Sequence, residues 1–415
     1  MAKRRQGHSG HGRDAVAPCR IPLQALASQR RRAYNAGMNI YFDNAATTAV
    51  RSEAAAAALR AMREEYGNPS SSHRTGRRAA GGLESARAEV AKALGAEPGE
   101  VFFTSGGTES DNWAVLGCAE ALSRRGRHLI TSSVEHDAVM EPAKKLERMG
   151  WDVTYLAPDA RGRVPEEDFA AALREDTAFA SIMLVNNETG AINPVEGYSR
   201  EIKRRGLGTV LHTDAVQGFC KIPFTPKTLG ADLVTVSAHK IHGPKGAGAL
   251  YVKKGAKLPP LILGGGQEGG KRSGTEAAPA IAGFGEAARL GLLEREESAA
   301  AVRGLRGYVV ARLSEEIPEA VVIGEGGSPY LLSLSLPGHK SEVLMSYLDS
   351  EGICVSKGAA CKKGARSRAL VAMRLRDDVI DGALRVSFSR SSTQEEGEFF
   401  VQTLKKASQR LLKAL

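Results

Sequence analysis

The chain has 415 residues, 42% hydrophobic and 25% charged, a composition ordinary for a globular protein of two or three compact units. No uninterrupted apolar run reaches about 18 residues, which argues against a membrane-spanning helix. Most of the net charge of +10 lies in residues 1–37, where eight basic residues face one acidic residue; the remainder carries only +3, so direct nucleic-acid binding is not expected.

The basic extension, residues 1–37, has no periodic apolar pattern and is predicted to be disordered. Three interpretations of it remain open. Its many arginines and single acid are typical of a targeting peptide. The same charge would suit an arm that contacts nucleic acid. The third interpretation is that translation begins at Met38, directly before the strand-like run 39–42.

Beyond Met38, helical and strand patterns alternate. Leu83, Ala86, Val90 and Leu94 recur at helical spacing. A helix is also predicted over about 108–122. Short apolar runs predict strands at 101–103, 128–132, 152–156, 179–185, 209–213, 232–236 and 248–252. This alternation predicts an α/β fold, with a mainly parallel seven-stranded sheet covered by helices.

The pattern changes near residue 295. The predicted elements beyond it are a charged helical stretch at 293–297, a strand near 330–336, a helix near 340–350, a strand near 384–389 and a last helix that opens with a capping box at Thr393 and Glu396. We expect a large domain over 51–294. A smaller α+β domain should combine 38–50 with 295–415.

Ligands of a parallel sheet bind beyond the carboxyl ends of its strands. The first such turn, Thr104 to Ser110, contains two glycines and opens a helix, so its backbone N–H groups could hold a phosphate at Gly107 and Thr108. A turn that only caps a helix would look the same. Phosphate binding therefore needs support from the other strand ends.

Polar side chains follow the later strands as well: Glu135-His136, Asn186-Asn187, Asp214 with Gln217, and Ser237 with His239 and Lys240. A buried carboxylate needs a cation or hydrogen-bond donors, and a protonated pyridine nitrogen would serve. A lysine at an enclosed strand end is either a phosphate-binding charge or a nucleophilic amine. Together these groups form the set that pyridoxal 5′-phosphate (PLP) requires. The glycine-rich run 243–248 lacks the Gly-Lys-Ser/Thr ending of a phosphate loop and is therefore not interpreted as one.

From Tyr41 onward the chain resembles the cysteine desulfurases, which are class V aminotransferase-like enzymes of PLP fold type I. The matching segments are 43–48, 67–71, 104–112, 135–136, 186–188, 214–217, 237–240, 264–268, 272–275 and 385–389. The resemblance implies that sulfur is removed from L-cysteine, giving L-alanine and an enzyme persulfide. An acceptor protein would then take the sulfur for iron–sulfur cluster assembly or tRNA thiolation.

The resemblance also implies a role for each matched residue. Lys240 would bind PLP and shuttle protons, Asp214 would pair with the pyridine nitrogen, and His136 would stack on the ring and assist proton transfer. The other implied contacts are Asn187 and Gln217 at the ring oxygen, Gly107, Thr108, Ser237 and His239 at the phosphate, Thr275 at the phosphate of the partner subunit in a homodimer, and Arg385 with Asn44 at the substrate.

The chain has five widely spaced cysteines: Cys19, Cys118, Cys220, Cys354 and Cys361. They include no CxxC pair and no spacing typical of zinc ligands, so neither a disulfide framework nor a metal site is predicted. We expect the protein to lie in a reducing cytoplasm. Cys361 is the expected persulfide carrier, because it lies in a small, glycine-flanked segment whose lysines favour thiolate. Cys118, Cys220 and Cys354 are interpreted as packing residues.

The cysteine loop departs from the family pattern. Lys357 and Ala359 stand where serines are usual, and Lys362-Lys363 replaces Thr-Ser. This basic loop could favour an acidic acceptor surface or a partner that carries tRNA.

Two other functions remain open. One is a selenocysteine lyase or another class V activity, and a transaminase would not need Cys361. The other is a non-catalytic scaffold that binds nucleic acid through the basic extension. The presence of Lys240 together with Asp214, His136 and Arg385 argues against a scaffold.

Overall fold

The structure, a computed structural model, describes residues 39–324, 326–357 and 366–412. The basic extension and Cys361 lie outside the described residues. From residue 40 onward the chain forms one compact unit. Its predicted division into a large and a small domain at residue 295 stays a prediction. No helix of the described part of the chain is long and apolar enough to cross a membrane.

The structure contains twelve strands and thirteen α-helices in its described residues. The strands are β1 (Ile40–Tyr41), β2 (Val101–Thr104), β3 (His128–Ser132), β4 (Asp152–Leu156), β5 (Thr177–Ser181), β6 (Val210–Asp214), β7 (Leu233–Ser237), β8 (Gly248–Val252), β9 (Val321–Ile323), β10 (Leu331–Ser335), β11 (Ile353–Cys354) and β12 (Ala383–Ser387). The helices are α1 (Ser52–Arg63), α2 (Arg74–Leu94), α3 (Gly107–Leu122), α4 (Asp137–Arg148), α5 (Glu166–Ala172), α6 (Val195–Arg204), α7 (Pro226–Leu229), α8 (Ala278–Leu293), α9 (Arg295–Glu316), α10 (Ser341–Ser350), α11 (Arg368–Ala372), α12 (Asp377–Asp381) and α13 (Gln394–Arg410).

The central sheet has seven strands in the order β2-β8-β7-β6-β5-β3-β4. Only β8 runs antiparallel to its neighbours β2 and β7, so β2 points the same way as the parallel strands. The prediction of a mainly parallel seven-stranded sheet is therefore confirmed. The carboxyl ends of six strands meet at one edge, which is where ligands bind in such sheets.

Helices cover both faces of this sheet. Successive side chains of a strand point to opposite faces. Accordingly Phe179 belongs to one apolar cluster, with Trp113 of α3, and its neighbour Ala180 to another, with Phe284 of α8. The buried clusters explain why most residues of these short strands are buried, because a parallel sheet covered on both faces has no side exposed to water.

Two smaller sheets connect the beginning of the described chain to its end. Strand β10 pairs antiparallel with β12 and β9, and β1 pairs parallel with β11. An isolated bridge joins Asp43 to Ser387 at the end of β12. The residues just after β1 are thereby held against β12, which carries Arg385.

One strand prediction was wrong in extent. The apolar run 179–185 predicted a strand over its whole length, but β5 ends at Ser181. The next residues stay buried as a loop that still bonds to β6 through Ile182 N to His212 O and Leu184 N to Asp214 O, while Leu184 O accepts from Asn193 N. Burial that continues beyond the end of β5 explains the apolar run. The predicted capping box is confirmed, with Thr393 and Glu396 bonding reciprocally at the start of α13.

Candidate functional site

The predicted phosphate turn and the end of β7 come together. Helix α3 begins at Gly107, directly after β2, and β7 ends at Ser237. A Cβ added at Gly107 would lie 3.8 Å from Ser237 Cβ and 3.0 Å from Val216 Cγ2. Glycine is therefore needed where these three segments approach one another, and the first N–H groups of α3 open toward the same space.

This junction offers free hydrogen-bond donors. Ser237 Oγ is buried and has no hydrogen-bond partner among the described residues. The start of α3 adds backbone donors and the positive end of the helix dipole. Glu109 holds the turn in place by accepting from Ser105 N at 2.9 Å while it pairs with Arg272. The geometry suits a doubly charged anion such as a phosphate monoester.

Asp214 ends β6 and is only 7% exposed. Burial raises the pKa of its carboxyl, and the nearby His136 and Lys240 oppose that rise. One carboxylate oxygen, Oδ1, accepts from Val216 N at 2.9 Å, which fixes its direction. A buried carboxylate so placed suits a protonated ring nitrogen.

Lys240 follows β7 in a short 3₁₀ turn, and its amine is directed to the residues after β1. Nζ donates to Ala45 O at 2.6 Å and to Ala46 O at 2.7 Å. Burial, followed by the charge of Arg385, lowers the pKa of Lys240 to about 8. About a tenth of the amine is therefore uncharged at pH 7, far more than for an ordinary lysine, and the uncharged form is the one that acts as a nucleophile or a proton acceptor.

Arg385 lies in the middle of β12 and is 3% exposed. Its Nη2 donates to Asp43 Oδ1 at 2.8 Å and its Nη1 to Asn187 O at 2.9 Å. Nε is buried and has no hydrogen-bond partner within the described residues. The guanidinium is thus held in one orientation with donor capacity left for a substrate carboxylate.

The remaining predicted residues are placed as follows. His136 is the N-cap of α4, where Nδ1 accepts from Ala138 N, and it lines a cleft together with Thr108. His239 Nδ1 is 3.2 Å from Thr47 Oγ1, and burial lowers its pKa to about 4, so its ring is neutral.

Asn44 and Gln217 contact the backbone. Asn44 Nδ2 donates to Tyr41 O and Ser387 O, which ties its amide to two strands, and the residue lines a cavity with Lys240. Gln217 Nε2 donates to Ala45 O at 2.9 Å. Thr275 is exposed in this single chain, and its contact with a second subunit stays a prediction.

Two functional candidates were missed in the sequence. Asp43, at the start of the matching segment 43–48, accepts from Arg385 and holds its guanidinium. Lys221 is buried at 8% exposure and contacts Gln217. A charged residue inside the apolar run 219–222, four residues after Gln217, was the available signal.

Three of the cysteines lie within the described residues. Burial raises the pKa of Cys118, and it raises that of Cys220 to about 12, so both thiols are poor nucleophiles. Cys354 is half-buried, as Cys220 is, and burial raises the pKa of its thiol as well. The segment that carries Cys361 lies outside the described residues.

The comparisons with known proteins agree on one family. The aminotransferase class-V model matches residues 40–400. The cysteine desulfurase IscS of Dictyoglomus turgidum is 40% identical over 376 residues, which cover 90% of this chain and 95% of that protein. A solved NifS-like protein has a TM-score of 0.85 at 40% identity and covers 90% of this chain and 100% of its own. A structure of SspA in complex with cysteine has a TM-score of 0.74 at 31% identity, over 85% of this chain and 100% of that one. The chain belongs to the aminotransferase class-V family, among the cysteine desulfurases.

Proposed function

We propose that this protein is a PLP-dependent cysteine desulfurase that converts L-cysteine to L-alanine and carries the sulfur as a persulfide on Cys361. The observation that carries the proposal is the setting of Lys240. Its amine is buried, with a pKa lowered to about 8, between a buried carboxylate on β6 and a buried guanidinium on β12. Family membership supports the same activity.

The residues present fit PLP. The unpartnered Ser237 Oγ and the start of α3, which includes Gly107 and Thr108, suit its phosphate, and His239 is proposed to join them. Asp214 suits the ring nitrogen, and the amide of Gln217 and Asn187 suit the ring oxygen. Lys240 supplies the amine that binds the aldehyde. When bound, PLP withdraws electrons from the Cα of an attached amino acid and so makes its proton removable.

Each step at the substrate then has a residue to perform it. Arg385 binds the substrate carboxylate with N–H groups not used by Asp43 and Asn187. Lys240 Nζ, once free and uncharged, accepts the Cα proton and later returns a proton to carbon. His136, close enough to Asp214 to oppose the rise of its pKa, assists these proton transfers.

Sulfur transfer requires a second nucleophile. The Cys361 thiolate attacks the sulfur of the substrate, so that a sulfur–sulfur bond forms while the carbon–sulfur bond breaks and its electron pair stays on the carbon fragment. Alanine leaves, and a mobile acceptor protein takes the sulfur for iron–sulfur cluster assembly or tRNA thiolation. We further propose that the protein acts as a homodimer with Thr275 contributing to the neighbouring site.

The test is cysteine turnover by two matched cysteine variants. Purified protein given PLP and L-cysteine should release alanine and sulfide in the presence of a thiol reductant. Cys361→Ala should abolish both products while the visible absorbance of bound PLP stays normal. Cys354→Ala, the control on nearby β11, should retain turnover within about twofold. Full turnover by Cys361→Ala would contradict the persulfide assignment, and a colourless protein after PLP addition would contradict the enzyme assignment.

A further inference from the structure

Lys221 is a buried lysine that the reaction steps above do not use. It follows β6 by seven residues and faces the same cavity as Lys240. Its Nζ donates to Gln217 Oε1 at 3.3 Å and lies 5.8 Å from the centre of the Tyr330 ring, within cation–π range. No ion pair joins it to a carboxylate within the part of the chain that the structure describes.

An unpaired cation in such a place is costly. Burial is the main cause that lowers the pKa of Lys221, to about 7, followed by the charge of Lys240; Arg385 lowers it further and the Cys220 thiol opposes. A hydrophobic side chain could fill the space of the four-carbon lysine stem and would avoid this cost. The hydrogen bond from the amine to Gln217 therefore indicates that Lys221 acts on the Gln217 side chain.

A chain of hydrogen bonds leads from Lys221 to the reacting lysine. Lys221 Nζ donates to Gln217 Oε1, Gln217 Nε2 donates to Ala45 O at 2.9 Å, and Lys240 Nζ donates to the same carbonyl at 2.6 Å. The amide of Gln217 and the amine of Lys240 are thus neighbours that share one acceptor.

Both neighbours of Gln217 require the same orientation of its amide. In its protonated form Lys221 can only donate, so it must face the amide oxygen; a carbonyl can only accept, so it must face the amide nitrogen. With protonated Lys221 on one side and Ala45 on the other, a flipped amide would place donor against donor at Lys221 and acceptor against acceptor at Ala45. One N–H of Nε2 is then left to point away from Ala45.

We propose that Lys221 is a positioning residue that orients the Gln217 amide, so that the second N–H of Nε2 is presented to the ring oxygen of bound PLP. This rests on the proposed function, since it requires PLP next to Gln217. The contribution of Lys221 to binding is indirect: it acts through Gln217 and touches neither cofactor nor substrate.

The test is a double-mutant cycle on PLP binding to the full-length apoenzyme. Lys221→Met keeps the length of the side chain but removes the donor, and should weaken PLP binding about tenfold, the size expected for a lost hydrogen bond to a charged group. In a Gln217→Ala background the same change should alter the dissociation constant by less than about twofold, because the partner through which Lys221 acts is gone. Cys220→Ala, in the same cavity but outside the chain of hydrogen bonds, is the matched control and should leave affinity unchanged.

A second readout separates positioning from a merely structural role. The pH titration of the visible absorbance of bound PLP should shift upward in Lys221→Met, because a cation and an oriented donor near Lys240 are both lost. A structural role would lower the melting temperature and leave this midpoint in place. Lys221→Leu is measured in parallel should the methionine variant fail to fold.

The positioning role and the proposed function fail on different results. The positioning role is wrong if Lys221→Met leaves both the affinity for PLP and the midpoint of the absorbance titration unchanged, or if it weakens PLP binding equally with Gln217 and with Gln217→Ala. In either case cysteine turnover by the wild type still supports the proposed function. A wild-type protein that binds no PLP overturns the proposed function itself.

Discussion

The pKa of Lys240 results from opposing influences on one amine. Burial and the guanidinium of Arg385 disfavour its charged form, while the carboxylates of Asp214 and Asp43 favour it. The first pair prevails, so the pKa falls from the ordinary 10.5 to about 8. Lysine is suited to this task because its compact ammonium is strongly hydrated, so that burial disfavours the charged form and lowers the pKa.

The rate at which the apoenzyme attaches PLP should therefore depend on pH around 8. Only the uncharged amine attacks an aldehyde, so the rate should rise about tenfold per pH unit below the pKa of Lys240 and level off above it. Absorbance after rapid mixing measures this rate. Arg385→Gln should move the midpoint upward, because a neighbouring cation is removed. A wild-type rate that keeps rising to pH 10 would contradict the prediction.

At the scale of elements, two ion pairs anchor the loop 264–275, whose last residue, Thr275, is expected to reach the partner subunit. Glu268 is buried, accepts from Arg87 Nη1 and Nη2 at 2.7 and 2.8 Å, and also accepts from Phe103 N at 2.8 Å. It thereby joins the loop to α2 and β2. Arg272 joins the far part of the loop to Glu109 at the start of α3. The loop is therefore fixed relative to the phosphate turn.

Removing one partner of the buried pair should be destabilising. Arg87→Leu leaves the Glu268 carboxylate buried without its cation and should lower the free energy of unfolding by about 3–5 kcal/mol. Urea denaturation followed by circular dichroism measures the change. Arg174→Leu is the control, because its pairs with Asp152 and Asp176 are largely exposed and should contribute less than about 1 kcal/mol. Equal effects of the two substitutions would argue against the anchoring role of Glu268.

At the scale of the whole molecule, the site is closed by segments distant in sequence. The residues after β1 supply Asp43 to Arg385, and the carbonyls of Ala45 and Ala46 to Lys240, while Asn44 binds the backbone of β12. A ligand at Lys240 would therefore lie among groups from both ends of the described chain. Its binding is coupled to the packing of the whole unit.

PLP should accordingly stabilise the folded protein. At a free concentration one hundred times its dissociation constant, a ligand that binds only the folded state adds about 2.7 kcal/mol. Thermal melting with and without PLP measures the gain. Lys240→Ala should gain less at the same concentration, because the covalent attachment is lost. If both proteins gained equally, Lys240 would not be the attachment point.

The site was predictable to the extent that its residues follow strands. His136, Asp214 and Lys240 each stand just past a short apolar run, and parallel strands place such residues at one edge. The pairing of Asp43 with Arg385 was not predictable in this way, because it joins residues 342 positions apart that only the fold brings together. Lys221 contacts Gln217 only four residues away, but its place beside Tyr330 in the same cavity as Lys240 likewise depends on the fold.

The sequence by itself determined the fold class, the family and the identity of the expected catalytic groups, because apolar periodicity and local motifs are properties of neighbouring residues. The tertiary structure alone decided which groups share the space around Lys240, how far its pKa falls, and where β5 ends. These depend on burial, and burial is set by packing between elements that are remote in the chain.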